Sequence, residues 1–138
     1  MILLDTNVLS ALMRSEPDPA VLEWLDAQPS PSIWTTSTTV FEVRTGLDLL
    51  SPSRRRRSLE EAFEQVLESD LDGRVLAFDV PAARAAGALV AERQLIGRTI
   101  EVRDAQIAGI ARAHRAKVAT RNTRHFQDLG LSIVDPWS

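Results

Sequence analysis

The chain has 138 residues, 44% hydrophobic and 25% charged, and its 16 basic against 19 acidic residues give a net charge of −3. That length and balance are those of one soluble globular domain, able to bury roughly 70% of its unfolded surface, and the acidity excludes a broad basic face for nucleic acid. Cysteine and tyrosine are absent and histidine occurs only at His114 and His125, which excludes disulfides, thiolate metal sites, thiol nucleophiles, catalytic phenols and three-histidine centres.

Ile2–Leu4 is a short, wholly apolar run, as expected of a strand buried on both faces of a parallel sheet. Thr6 or Asn7 can cap a helix over about 7–13, which Ser15–Pro19 breaks. Ala20–Ala27 is the second helix, and Pro29 and Pro31 enforce a loop. Ser32–Thr36, rich in β-branched and aromatic residues, predicts strand two, followed by a helix over about 38–50. After Pro52 a long helix runs to about Asp70, and Gly73 marks the turn into strand three, Val75–Phe78. Pro81 suits the first turn of a helix over about 82–95, which Gly97 ends. A helix over about 102–115, strand four at Lys117–Thr120, a short helix near 123–128 and strand five at Leu131–Val134 complete the chain.

This alternation, without repeat or low-complexity linker, predicts a single α/β domain over residues 1–138. It is a three-layer α/β/α sandwich around a mainly parallel sheet. No two glycines lie closer than ten positions, so neither a P-loop nor a GxGxxG turn can be written. The apolar run in the opening Met-Ile-Leu-Leu-Asp-Thr-Asn is too short for a signal peptide, and nothing approaches a membrane span. The expected location is the cytoplasm.

In parallel sheets of this kind ligands bind beyond the carboxyl ends of the strands. Asp5 directly follows strand one, either as a helix cap or as a site residue. Glu42 shares its helix face with the small residues Thr38, Thr39, Thr45 and Gly46, which leaves room for an ion or ligand beside an otherwise solvated glutamate. Asp104 lies in the first turn of its helix, aligned with the apolar Ile107, Ala108 and Ala111. There it either caps the helix or points toward the sheet, and the helix dipole favours it by roughly 0.3–1 kcal/mol. Asn122 follows strand four as a cap or a neutral oxygen ligand, with Thr120 beside it. Carboxylates brought together repel unless a cation neutralises them. An all-oxygen set selects a hard cation, Mg²⁺ or Mn²⁺, whose chemistry suits phosphoryl transfer.

Four segments carry a family resemblance: Ile2-Leu-Leu-Asp5-Thr6-Asn7, Val40-Phe-Glu42-Val-Arg-Thr-Gly46, Asp104-Ala-Gln-Ile-Ala-Gly-Ile-Ala111 and Ala119-Thr-Arg-Asn122-Thr-Arg-His-Phe126. In this order, and across nearly the whole chain, they resemble the PIN-domain family, in particular the VapC-type, FitB-like toxins of bacterial type II toxin–antitoxin pairs. The resemblance implies an Mg²⁺- or Mn²⁺-dependent endoribonuclease whose metal and catalytic residues are Asp5, Glu42 and Asp104. Asn122 stands where many members carry a fourth acidic residue, and Thr6 and Thr120 would be supporting hydroxyls. It further implies hydrolysis of an RNA phosphodiester to 5′-phosphate and 3′-hydroxyl ends, a VapB-like antitoxin covering the acidic pocket, a homodimer and a toxin–antitoxin hetero-oligomer.

Arg103, Arg121 and Arg124 flank the proposed site residues and are the candidate RNA contacts. The run Arg54–Arg57 has two readings. Either Ser53 caps a helix that contains the arginines, or Ser58-Leu59-Glu60-Glu61 forms a capping box that leaves them in the preceding loop. Arg44 is expected to pair with a carboxylate, His125 to be structural or a rim contact, and Trp24, Trp34 and Trp137 to pack. Two other functions compete. One is a catalytically inert PIN-fold binding module. The other is a haloacid-dehalogenase-type phosphatase, which needs a second aspartate where this chain has Asn7 and a lysine where Lys117, the only one, does not fit.

Overall fold

The computed structural model describes residues 1–138. Strand β1 (Ile2–Leu4) lies at the centre of a five-stranded sheet of order β3-β2-β1-β4-β5, with β2 at Ile33–Thr36, β3 at Val75–Leu76, β4 at Lys117–Ala119 and β5 at Ile133–Val134. Every pairing is parallel. The apolar run of β1 follows from this position. Ile2 and Leu4 enter the core on one side of the sheet and Leu3 enters the core on the other, because successive strand side chains point to opposite faces.

Helices α1 (Thr6–Leu12), α2 (Pro19–Asp26), α3 (Ser37–Leu49) and α4 (Arg54–Gln65) cover the Ile2 side with Val8, Leu9, Val21, Val43, Leu47 and Phe63. Helices α5 (Val80–Leu95) and α6 (Val102–His114) cover the Leu3 side through Ala82, Leu89, Ile107 and Ile110. The result is the three-layer α/β/α sandwich. No helix is long and apolar enough to cross a membrane.

Helix α6 is buried along its length, from Ala105 through Ile107 to Ala111. It is pressed against α5 at a seam of small residues. A Cβ added at Gly109 would meet Ala82 O at 2.5 Å, Ala86 Cβ at 2.6 Å and Ala86 N at 2.8 Å. These separations are shorter than van der Waals contact permits, so the two helices approach this closely only because position 109 lacks a side chain.

Several boundaries differ from the sequence expectation. The cap of α1 is Asp5, not Thr6 or Asn7, and the helix starts at Thr6. The expected long helix to Asp70 ends as α at Gln65 and continues as a π-helical segment, Val66–Asp70, closed by Leu71 N donating to Val66 O at 2.9 Å. That wider turn buries both Val66 and Leu71, and no proline or glycine marks it in the sequence. The expected short helix near 123–128 is a 3-10 turn, Thr123–Phe126, that buries Phe126. Strands three and five are two residues each.

Ser53 caps α4 by accepting from Arg56 N at 3.1 Å, so the arginine run lies inside the helix rather than in a loop. Arg56 and Arg44 converge on Asp48 and Glu60, with N···O separations from 2.7 to 3.2 Å that join α3 to α4. This network pulls Asp48 and Glu60 below their ordinary carboxyl range, chiefly through their hydrogen bonds with Arg44.

Candidate active site

Where β1 ends, Asp5 N still bonds Ala119 O at 3.0 Å, and the chain then turns into α1. The Asp5 side chain therefore stands at the carboxyl edge of the sheet, and it is buried there. Its Oδ1 accepts from Thr6 N at 2.8 Å, and its Oδ2 accepts from Thr120 Oγ1 at 2.8 Å and from Asn7 Nδ2 at 3.3 Å. Asn7 also donates to Thr120 Oγ1 at 3.2 Å and accepts from Arg121 N at 3.0 Å. Thr120 Oγ1 further accepts from Asn122 N at 3.0 Å. Asp5 is thus both cap and pocket residue, and the Asp-Thr-Asn segment bolts the loop after β1 to the loop after β4.

Glu42 reaches the same place from α3. That helix is anchored by Thr36 Oγ1, which accepts from Thr39 N at 3.1 Å, and it buries Thr38 and Thr39 beside the glutamate. Asp104 arrives from the first turn of α6. The cap of α6 is Glu101, whose Oε2 accepts from Arg103 N at 3.0 Å and Asp104 N at 3.3 Å. Glu101 therefore frees the Asp104 carboxylate to face the pocket, where His125 Nδ1 stands 3.1 Å from Oδ2.

These groups line one cavity of about 390 Å³ that has no hydrophobic residue in its wall. Asp5, Glu42 and Asp104 share it with Thr6, Asn7, Asn122, Glu101, Arg103 and His125. Burial pushes all three carboxyls above their ordinary range. For Asp5 it outweighs the hydrogen bonds from Thr120 and Thr6. For Glu42 it outweighs the charge of Arg103, 3.9 Å away, and the neighbouring Asp5 and Asp104 add to the rise. For Asp104 the nearby His125 opposes it and Asp5 reinforces it.

The donor set is suited to a hard cation: carboxylates, hydroxyls and an amide, with no sulfur. The buried Thr6 hydroxyl lacks a complete hydrogen bond, although it lies near enough to Glu42 to favour the ionised form slightly. No three acidic or histidine side chains stand close enough to form a ready-made cage. That openness fits Mg²⁺, which keeps several waters and is held by one or two carboxylates together with substrate phosphates.

Of the arginines expected to flank the site, only Arg103 lines it. The Arg121 guanidinium lies over the Trp137 ring, 4.9 Å from its centroid, and Arg124 is exposed outside the cavity wall. Asn122 makes no side-chain cap bond, so its amide is available to the cavity. Beyond the expected set, the structure adds Glu101 to the cavity, gives Asn7 the role of linking Asp5 to Thr120 in place of the expected helix cap, and sets His125, expected as structural or a rim contact, against Asp104. Their signals were the Asx chemistry of Asn7, the three-residue spacing from Glu101 to Asp104, and the place of His125 within the turn after Asn122.

A carboxyl raised in the folded state favours folding below its unfolded pKa, and that stability is lost as pH rises through the folded value. These three carboxyls therefore withdraw stability from the ion-free chain as pH rises above 3.8–4.5, the ordinary values of such groups, while the lowered Asp48 and Glu60 act in the opposite sense. Glu42→Gln in EDTA at pH 7 is expected to raise Tm by about 1–3 °C, the gain vanishing near pH 4, as thermal scans at both pH values would show. A lower Tm at pH 7 would mean that Glu42 is not held against its preference.

Residues 2–130 match the family model for the PIN domain. A VapC ribonuclease of Sinorhizobium fredii, Y4jK, is 42% identical over 137 residues, covering 99% of this chain and 98% of the relative. Toxin FitB of Neisseria gonorrhoeae is 35% identical, with 99% of each chain covered. A crystal structure of FitAcB from the same organism superposes with a TM-score of 0.89, again at 35% identity and 99% coverage of each chain.

Proposed function

Because the chain belongs to the PIN domain family, we propose that its residues 1–138 form a single PIN-like domain acting as a toxin endoribonuclease that depends on Mg²⁺ or Mn²⁺. The observation that carries this reading is that three carboxyl side chains, each pushed by burial toward its neutral form, line one cavity whose wall holds no hydrophobic residue. The similarity to a relative named as a ribonuclease and to a toxin supports the substrate class and the role.

Asp5, Glu42 and Asp104 would hold the ion, with Thr6 and Thr120 in support. When bound, such an ion supplies Lewis acidity toward a water nucleophile and a phosphate oxygen. The chain supplies the rest. Asp5 is locked in orientation by its three donors, so it does not swing to meet the substrate. Asp104 and His125 form a pair whose imidazole, when protonated, offsets charge beside the carboxylate. Asn122 presents a neutral amide where another carboxylate would add repulsion, and it orients water or phosphate by hydrogen bonding. Arg103 stands at the mouth of the cavity and meets the phosphate by charge and by its forked donors.

The cavity also sets the chemistry of the inhibitor. An antitoxin tail that inserts a basic side chain among Asp5, Glu42 and Asp104 would neutralise them as a cation does. A homodimer and a toxin–antitoxin hetero-oligomer follow from the same kinship.

Purified chain incubated with RNA and Mn²⁺ is expected to cut it, leaving 5′-phosphate ends that ligate directly. EDTA should abolish cleavage, and fresh Mn²⁺ should restore it. Saturating Mn²⁺ should also raise the thermal midpoint, since an ion at one hundred times its Kd stabilises the folded state by about 2.7 kcal/mol. Undiminished cleavage in EDTA, or cyclic-phosphate ends, would overturn the assignment. Binding of the ion without any cleavage would favour the inert binding module.

A further inference from the structure

A second opening adjoins the carboxylate cavity. It is a groove of about 460 Å³ that shares Glu101 and Arg103 with the cavity. Its character is different. Phe41, Phe78 and Val102 form its apolar wall, with Phe41 62% and Val102 67% exposed. Leaving such groups in water is unfavourable by roughly 25 cal/mol per Å² of apolar surface, and here they sit directly beside charged side chains.

The polar groups of the groove are also oriented. Thr38 Oγ1 donates to Gln106 Oε1 at 3.0 Å, which leaves the Gln106 NH₂ without a protein partner. Phe78 N donates to Ser37 Oγ at 3.1 Å, which leaves the Ser37 hydroxyl proton free. The groove therefore offers an exposed aromatic side chain and unpaired donors, and Arg103, whose Nε donates to Glu101 Oε1 at 3.3 Å, lines both this groove and the cavity of Asp5, Glu42 and Asp104.

Resting on the ribonuclease reading above, we propose that this groove takes an unpaired base of the RNA strand next to the bond that is cut. The base stacks on Phe41, one of its carbonyl oxygens accepts from Gln106, and the intervening phosphate meets Arg103. Stacking on an exposed aromatic side chain requires a base that is out of a duplex, so the substrate is single-stranded at that nucleotide. Donors at the base edge favour guanine or uracil, which present carbonyl acceptors, over adenine, which presents an amino group there.

The test uses short RNA oligonucleotides around a mapped cleavage site, with Mn²⁺, and replaces each flanking nucleotide in turn by an abasic one. At one flanking position the wild type is expected to lose about tenfold in kcat/KM, in keeping with the strength of base–aromatic stacking. Phe41→Ala should cut intact and abasic RNA at the same reduced rate, and Phe41→Trp should restore the difference. Gln106→Leu should erase the preference for guanine or uracil over adenine while keeping the abasic penalty. A 5-iodouridine at that position should photo-cross-link to Phe41 in the wild type. Phe41 is exposed, so its loss leaves the core intact, and the Tm of each variant checks this.

If the wild type cuts RNA and Phe41→Ala keeps the full abasic penalty, the groove is not a base site. The same conclusion holds if Phe41→Ala changes only self-association in sedimentation, which would make this face a contact with a second copy of the chain. If the wild type cuts no RNA at all, the ribonuclease reading fails and takes this one with it.

Discussion

Gly109→Val is expected to lower stability by about 2–4 kcal/mol and the thermal midpoint by about 10 °C, as a denaturant titration and a thermal scan would measure. The cause is local. A single added Cβ already meets the Ala82 carbonyl oxygen at 2.5 Å and the Ala86 backbone nitrogen at 2.8 Å. Backbone cannot rotate aside as a flexible side chain does, so α6 must move away from α5. Gly109→Ala makes the sharper control. On an exposed helix the exchange of glycine for alanine stabilises by roughly 1 kcal/mol, whereas here it should destabilise. A stabilised alanine variant would show that the seam has slack. The valine variant should also lose cleavage beyond its loss of folded protein, because α6 carries Asp104.

Asp104→Asn is expected to reduce cleavage by about 10³-fold, equivalent to about 4 kcal/mol of transition-state stabilisation. The exchange preserves shape and an acceptor toward His125 while removing the charge. The ion-free fold should therefore be as stable as the wild type or slightly more so, since burial already disfavours the ionised form of Asp104. Two measurements separate a ligand from a structural residue. Mn²⁺ affinity by calorimetry should fall together with kcat, and the thermal midpoint in EDTA should not. Retained affinity with lost cleavage would move Asp104 from holding the ion to handling the proton of the attacking water.

The parallel sheet was legible because each strand is a short apolar run between helices, and Ile2–Leu4 in particular carries no polar face. The cavity was legible as far as its members sit at strand ends. Asp5, Glu42, Asp104 and Asn122 do line one wall, as their positions after strands and on early helical turns imply. The supporting contacts were not legible. Whether Asp104 caps its own helix or faces inward is decided by Glu101, three residues earlier, and glutamate is a poor helix-cap type by propensity. Arg121 and Arg103 look equivalent in sequence, yet the Trp137 ring claims one and the cavity the other. The close packing at Gly109 depends on the path of α5, more than twenty residues away, which no local pattern encodes.

The bolt between Asp5 and Thr120 spans 115 positions, and this sets a schedule for synthesis. The first strand leaves the ribosome well before its neighbour β4 and the hydroxyl that orients Asp5, which follow more than a hundred residues later. Such a non-local pairing cannot form until both segments have been made. The polar cavity around Asp5 is thus assembled only once both segments have been made, however early its first carboxylate emerges.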